Sequence, residues 1–241
     1  MGHCLMMRKG KVHTAPVTGV LASSLAVGST MKLMEGGTAV EYLVVNQGIP
    51  SNSSLYDASC DGTWLLRKDV HSKRQWNSSN ISTYASSDIN TWLNGGFFNS
   101  LGNVERAVVK QVKIPYCVGG GNTTINSGTN GLNTKAFLLG GHEVGWTSSS
   151  SSPLDGTILF YFSSGLGDTA KSKRIAYLDG AVTEWWLRSW QTITDSTIWV
   201  VNSDGGIGGG PASNSYGIRP ALILPNNAVF DETTKLLKGV K

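Results

Sequence analysis

The sequence predicts an α+β fold in which two helices pack on short, mostly antiparallel strands joined by long Gly/Ser/Asn loops. Three observations predict it. Short runs of β-branched and aromatic residues are bounded by Gly, Pro and Asn turn signals. Two adjacent stretches place apolar residues at helical spacing. Helices do not alternate with strands, so a parallel, doubly wound sheet is not expected.

Residues 1–26 read as an N-terminal arm and residues 27–241 as one domain. Met7-Arg8-Lys9-Gly10-Lys11 ahead of residues 17–27 loosely imitates a secretory signal, but His13, Pro16, Ser23 and Ser24 dilute it, so a flexible arm is expected. Residues 38–45 read as a strand between Gly36-Gly37 and Gly48-Ile49-Pro50. Further strands are expected at residues 63–67, 136–139, 158–162, 185–188, 198–201 and 218–224. Ile89, Trp92, Leu93 and Phe97 fall on one helical face behind a Ser86 or Ser87 cap, and Asn94-Gly95-Gly96 predicts an early break. Val104, Ala107, Val108 and Val112 repeat the spacing behind Asn103 and stop before Ile114-Pro115. The connections at 117–134 and 147–156 exceed the usual length of about 4–6 residues.

With 241 residues, 40% of them hydrophobic, the chain has ample material for a core. Twenty basic against 16 acidic residues leave +4, too little for a protein that binds nucleic acid through its phosphates. The apolar runs are too short for a transmembrane helix. Cys4, Cys60 and Cys117 show no C-x-x-C spacing, so neither a disulfide framework nor a zinc site is expected, although one bridge is compatible with the count.

The catalytic and metal motifs fail individually. His142-Glu143-Val144-Gly145-Trp146 opens like a zinc-protease motif, but Trp146 stands where the second His is required, leaving His142 as a surface or hydrogen-bonded residue. Gly206-Ile207-Gly208-Gly209-Gly210-Pro211 loses the dinucleotide fingerprint at Pro211. Asp57-Ala58-Ser59-Cys60-Asp61-Gly62 begins like a calcium loop but carries Lys68 at position twelve, so an Asx turn is expected. Lys171-Ser172-Lys173-Arg174 reads as a solvated basic loop. No catalytic residue, metal or cofactor is assigned.

The carboxy-terminal third is more informative. Trp185-Trp186-Leu187-Arg188-Ser189-Trp190 and Tyr216-Gly217-Ile218-Arg219-Pro220-Ala221-Leu222 are apolar segments with one Arg each. A guanidinium in such a strand needs carboxylate or carbonyl partners, so Trp185, Trp186, Arg188 and Arg219 read as structural. The intervening small-residue stretches have the composition of binding loops held on an aromatic frame.

These segments, with Trp199-Val200-Val201-Asn202-Ser203-Asp204-Gly205, Gly62-Thr63-Trp64-Leu65-Leu66-Arg67 and Gly141-His142-Glu143-Val144-Gly145-Trp146, resemble a domain of unassigned function met in gut Firmicutes and their phages. The resemblance extends from about Leu25 onward. It implies a C-type-lectin-like fold of the formylglycine-generating-enzyme kind, also used by the variable proteins of diversity-generating retroelements. Thr192-Ile193-Thr194-Asp195 and Gly206-Ile207-Gly208-Gly209-Gly210-Pro211 contain only residues that such diversification yields. The chain lacks the sugar motifs of animal lectins and the paired cysteines of the enzymes.

The resemblance and the loops together imply a non-enzymatic ligand-binding protein, a phage tail or virion component contacting a bacterial surface protein or glycan. Neither nucleic acid nor membrane insertion is expected. The ligand-binding residues implied are Trp190, Thr192, Ile193, Thr194, Asp195, Thr197, Ile198, Trp199, Gly206, Ile207, Gly208, Gly209, Gly210, Pro211 and Ser213, with Trp190 and Trp199 as anchors. The alternative is a structural or adhesion module of a virion or bacterial surface, its loops packed in a homo-oligomer or against other virion proteins.

Overall fold

A computed structural model of the chain describes residues 17–51, 54–79, 83–146, 154–164, 168–192 and 196–241. Its first sheet is an antiparallel meander of β2 (Thr30–Glu35), β3 (Thr38–Gln47) and β4 (Thr63–Arg67), closed by β16 (Ala221–Leu224) in the order β16-β4-β3-β2. Gly36 and Gly37 make its first turn at φ 53° and 85°, values that a two-residue hairpin turn requires and side chains resist.

The second sheet runs β14-β13-β12-β15-β5, from β5 (Lys73–Gln75), β12 (Trp185–Trp190), β13 (Thr197–Val201), β14 (Ile207–Pro211) and β15 (Ser215–Gly217). Of the pairings in this sheet among the described residues, that of β12 with β15 is the parallel one. All six residues of β12 are buried, as expected of a central strand covered on both faces. A smaller sheet joins β1 (Val20–Leu21), β17 (Ala228–Phe230) and β18 (Leu237–Val240). Three ribbons complete the strands: β6 (Val112–Ile114) with β9 (Leu132–Thr134), β7 (Tyr116–Gly119) with β8 (Asn122–Asn126), and β10 (Tyr177–Leu178) with β11 (Ala181–Val182).

The chain crosses between the two main sheets twice, from β4 to β5 and from β15 to β16, and the crossings run side by side. His71 N donates to Ile218 O at 2.8 Å, Ile218 N to Ser72 O at 2.9 Å and Arg67 N to Pro220 O at 2.9 Å. Arg219 sits in this corner, donating from Nε to Arg67 O at 3.1 Å and from Nη2 to Lys68 O at 2.8 Å. The core fills the space around it. Trp64, Trp76, Trp185, Trp186 and Trp190 are fully buried, each contributing about 4–6 kcal/mol of gross hydrophobic transfer.

The α+β expectation is overturned. Among the described residues, strand accounts for 38% and helix for 19%, the strands form several sheets, and only one α-helix, Asp168–Arg174, reaches seven residues. The fold is mostly β. The first expected helix caps on Ser87, whose Oγ accepts from Asn90 N at 3.2 Å, but it does not break at Asn94-Gly95-Gly96. Instead Asp88–Trp92 continues through a π-helical turn, Leu93–Phe97, into Phe98–Ser100. The Asn94 side chain holds that turn down, accepting from Lys135 N at 2.9 Å and donating to Ala136 O at 3.0 Å. The second expected helix is only Asn103–Val108, with Gly102 as N-cap, Val104 exposed, and Val112 in a strand. Its apolar spacing was accidental.

Two expected strands also fail. Residues 136–139 are buried but meet the sheet through a single bridge, Phe137 to Ala221, and Phe160–Phe162 is a 3-10 turn. Residues 17–26, read as the end of an arm, are integrated: β1 pairs with β17 and Ala22 is fully buried. Residues 206–211, read as a loop, form the edge strand β14 and its approach. Glycine and proline have poor strand propensity, but the β-rich partner Thr197–Val201 supplies a complete ladder from Thr197–Pro211 to Val201–Ile207.

Candidate functional site

Arg188 organises the interior beside the second sheet. Its Nη1 donates to Glu143 Oε2 at 2.6 Å and its Nη2 to Glu143 Oε1 at 2.8 Å, the two-pronged geometry that suits guanidinium and carboxylate. Nε donates to Pro115 O and Nη1 also to Leu138 O, both at 3.0 Å, and Nη2 also donates to Asp155 O. Asp155 Oδ2 lies 3.5 Å from Nε, and Ser189 Oγ lies 2.7 Å from Asp155 Oδ1. Glu143 also accepts from Gly140 N and Tyr56 Oη, both at 2.9 Å. The Arg188, Glu143 and Asp155 side chains are at most 1% exposed, so this cluster fastens residues 138–143 and 154–157 to β12 away from solvent.

Burial pushes the Asp155 carboxyl up to about 6, against the opposing pull of Arg188 and Ser189. A carboxyl whose folded-state value exceeds its unfolded one favours the native state when protonated. Its contribution is therefore full below the unfolded value near 3.8 and declines as pH rises to about 6. The difference in unfolding free energy between the wild type and Asp155→Asn should change across pH 4–6 and be flat above, measured by urea denaturation at each pH. A pH-independent difference would contradict this assignment.

The sequence left Glu143 and Asp155 unassigned because Arg188 lies 45 and 33 residues from them. A signal existed: a lone carboxylate in the apolar run Gly140-Gly141-His142-Glu143-Val144-Gly145-Trp146 needs a cation as surely as a lone Arg in a strand does. His142, expected at the surface or in a hydrogen bond, is 8% exposed. Asp57 caps a 3-10 turn, its Oδ1 accepting from Ser59 N at 2.8 Å. Cys60 and Cys117 are buried free thiols, and burial pushes Cys60 up to about 12, so it is not an activated nucleophile.

The fifteen residues implied as ligand-binding separate by environment. Trp190, at 1% exposure, donates from Nε1 to Cys117 Sγ at 3.0 Å. It is a core residue rather than a surface anchor, because a bulge between Trp186 and Trp190 keeps the strand end inside. Ile198 and Gly210 are buried as well, and the Tyr216 ring occupies the space a side chain at 210 would need. Ile193, Thr194 and Asp195 lie outside the described residues. Thr192, Thr197, Gly206, Ile207, Gly208 and Ser213 are half-buried, and Gly209 and Pro211 are exposed on β14. Among the described residues, no strand pairs with the outer side of β14.

Trp199 is the unusual member. Its ring, on a residue only 6% exposed, lies 5.7 Å from that of Trp146. Five other indoles have acceptors at 2.9–3.1 Å: Trp64 to Cys60 O, Trp76 to Leu187 O, Trp185 to Arg174 O, Trp186 to Arg74 O and Trp190 to Cys117 Sγ. Neither Trp146 Nε1 nor Trp199 Nε1 has an acceptor among the described residues, although both are buried. Such a group costs about 1–3 kcal/mol unless something else supplies the acceptor.

These features define a mostly β domain with a buried Arg–carboxylate cluster and a glycine-rich edge beside two unpartnered indole donors. The chain belongs to the family described as a domain of unknown function, DUF6273, whose model matches residues 61–226. That span contains the corner, the ion cluster and the edge strand. Neither the curated proteins nor the solved structures contain a match.

Proposed function

We propose that the chain is a non-enzymatic ligand-binding module whose contact region is the outer end of the second sheet. The observation that carries the reading is the Trp146–Trp199 pair, two neighbouring buried donors without acceptors beside an edge strand that has almost no side chains. A ligand offering carbonyl, hydroxyl or carboxylate oxygens would satisfy both donors, and Gly209, the β14 residue opposite Trp199, is exposed. The ligand is a protein or glycan of a bacterial surface, and the chain acts in a phage tail, a virion or a bacterial envelope. Residues 192–195 and 206–211, whose composition matches that of retroelement-diversified proteins, are the variable part.

Adsorption of the purified chain to a panel of gut Firmicutes tests this. Trp199→Phe removes one donor and keeps a ring, and Gly209→Arg blocks the exposed edge. Each should weaken adsorption by about tenfold or more, the loss of a contact worth about 1.4 kcal/mol, with an unchanged circular dichroism spectrum. Adsorption equal to the wild type in both variants would remove this face from the function.

A second reading rests on the open edge of β14. Unpaired strand edges recruit further strands, so two copies joined through this edge would make a structural module with its glycines inside an oligomer. In that case Gly209→Arg shifts the sedimentation coefficient toward that of a monomer while Trp199→Phe leaves it unchanged.

A further inference from the structure

A cleft of about 390 Å³ opens on the other side of the corner, lined by Lys68, Asp69, Tyr161, Lys173, Tyr177 and Arg219 among others. We propose that it is a binding site for a small oxyanion, a phosphate or sulfate group on a compact organic molecule. Arg188 is answered by Glu143 and Asp155, and Arg67 by Glu35 at 3.1 Å. Arg219 is as buried as Arg188 yet has no carboxylate within salt-bridge distance among the described residues.

Its partners are three carbonyls, Arg67 O, Lys68 O and, at 3.5 Å, Arg174 O, and the Trp185 ring beneath it at 4.7 Å. A guanidinium has five N–H bonds, so donors remain for a ligand in the cleft. Lys173 repeats the pattern, its Nζ donating to Tyr161 O at 2.9 Å and lying 5.1 Å from the Tyr161 ring. Lys68, by contrast, is matched by Glu41 at 2.6 Å. Asp69, the one acid among the described residues that line the cleft, accepts from Tyr177 N at 3.3 Å. Among the described residues, two cations without a carboxylate in salt-bridge distance therefore face one carboxylate. A tetrahedral oxyanion supplies the missing charge and accepts from the Arg219 Nη protons that no carbonyl takes, while Tyr161 and Tyr177 give its carbon skeleton an aromatic wall. Burial lowers the Arg219 value, to about 10, against the opposing pull of Asp69 and Tyr161.

The test is a titration of the full chain with inorganic phosphate, then with sulfate, at constant ionic strength maintained by chloride, following the Arg219 Nε–H resonance. The expected result is a saturable shift whose dissociation constant rises about fivefold in Lys173→Gln, the loss of one charge-assisted contact. Lys113→Gln removes an ammonium that likewise sits on a carbonyl, Thr129 O at 3.0 Å, but lies outside the cleft, and should titrate as the wild type. The ratio of phosphate to sulfate affinity identifies the preferred ester. A shift no different from that with chloride alone, or a Lys173→Gln variant that titrates as the wild type, overturns the proposal. Both outcomes are independent of whether Trp146 and Trp199 contact a ligand.

Discussion

Arg188→Met should cost about 3–5 kcal/mol of unfolding free energy, because it strands Glu143 and Asp155 in an interior where their side chains are at most 1% exposed. A domain of this size has about 5–15 kcal/mol in total, so the variant should be largely unfolded or melt far below the wild type. The cause is the uncompensated charge rather than the lost contacts of the Arg188 side chain. The triple variant Arg188→Met, Glu143→Gln, Asp155→Asn removes the buried charges together and should recover more than half of the loss, measured by urea denaturation. If the single variant unfolds at the wild-type urea concentration, the cluster does not fasten residues 138–143 and 154–157.

Trp190→Ala should cost about 3–5 kcal/mol, as expected for truncating a fully buried aromatic residue that also donates to Cys117 Sγ. A surface anchor would behave differently. Its truncation would leave stability within about 0.5 kcal/mol and act on binding alone. Thermal and urea unfolding of the variant therefore decide between the core position found here and the surface position that the composition of residues 190–198 implied.

The two outcomes show what the residue pattern conveyed. Thr63–Arg67 and Thr197–Val201 were legible because β-branched and aromatic residues crowd into short runs between turn signals. Gly206-Ile207-Gly208-Gly209-Gly210-Pro211 was not, since its strand is imposed by the neighbouring β13 rather than by its own propensity. The helical face at Ile89, Leu93 and Phe97 was correct in periodicity. Its continuation through Gly95-Gly96 depends on Asn94 reaching residues 134–136, a contact no local rule contains. Helical spacing alone then overstated the helix content and gave the wrong fold class.

For the site, an Arg in an apolar strand announced that it needs partners but not which ones. Arg188 found carboxylates and Arg219 found carbonyls, a difference set by distant segments meeting at the corner. Trp199 is expected from the sequence as an anchor through its ring, and the structure shows that ring on a residue only 6% exposed. A buried Nε1 without an acceptor among the described residues, shared with Trp146, singles it out, and that emerges only once five of the six other indoles are seen to have acceptors.

The most direct measurement is an indole N–H spectrum of the 15N-labelled chain, assigned through Trp146→Phe and Trp199→Phe, before and after saturation with the bacterial surface fraction that the chain adsorbs to. The account predicts that the Trp146 and Trp199 signals move downfield as they gain acceptors. Those of Trp64, Trp76, Trp185, Trp186 and Trp190, already hydrogen-bonded inside the fold, stay in place. Stationary Trp146 and Trp199 signals at saturation would contradict it.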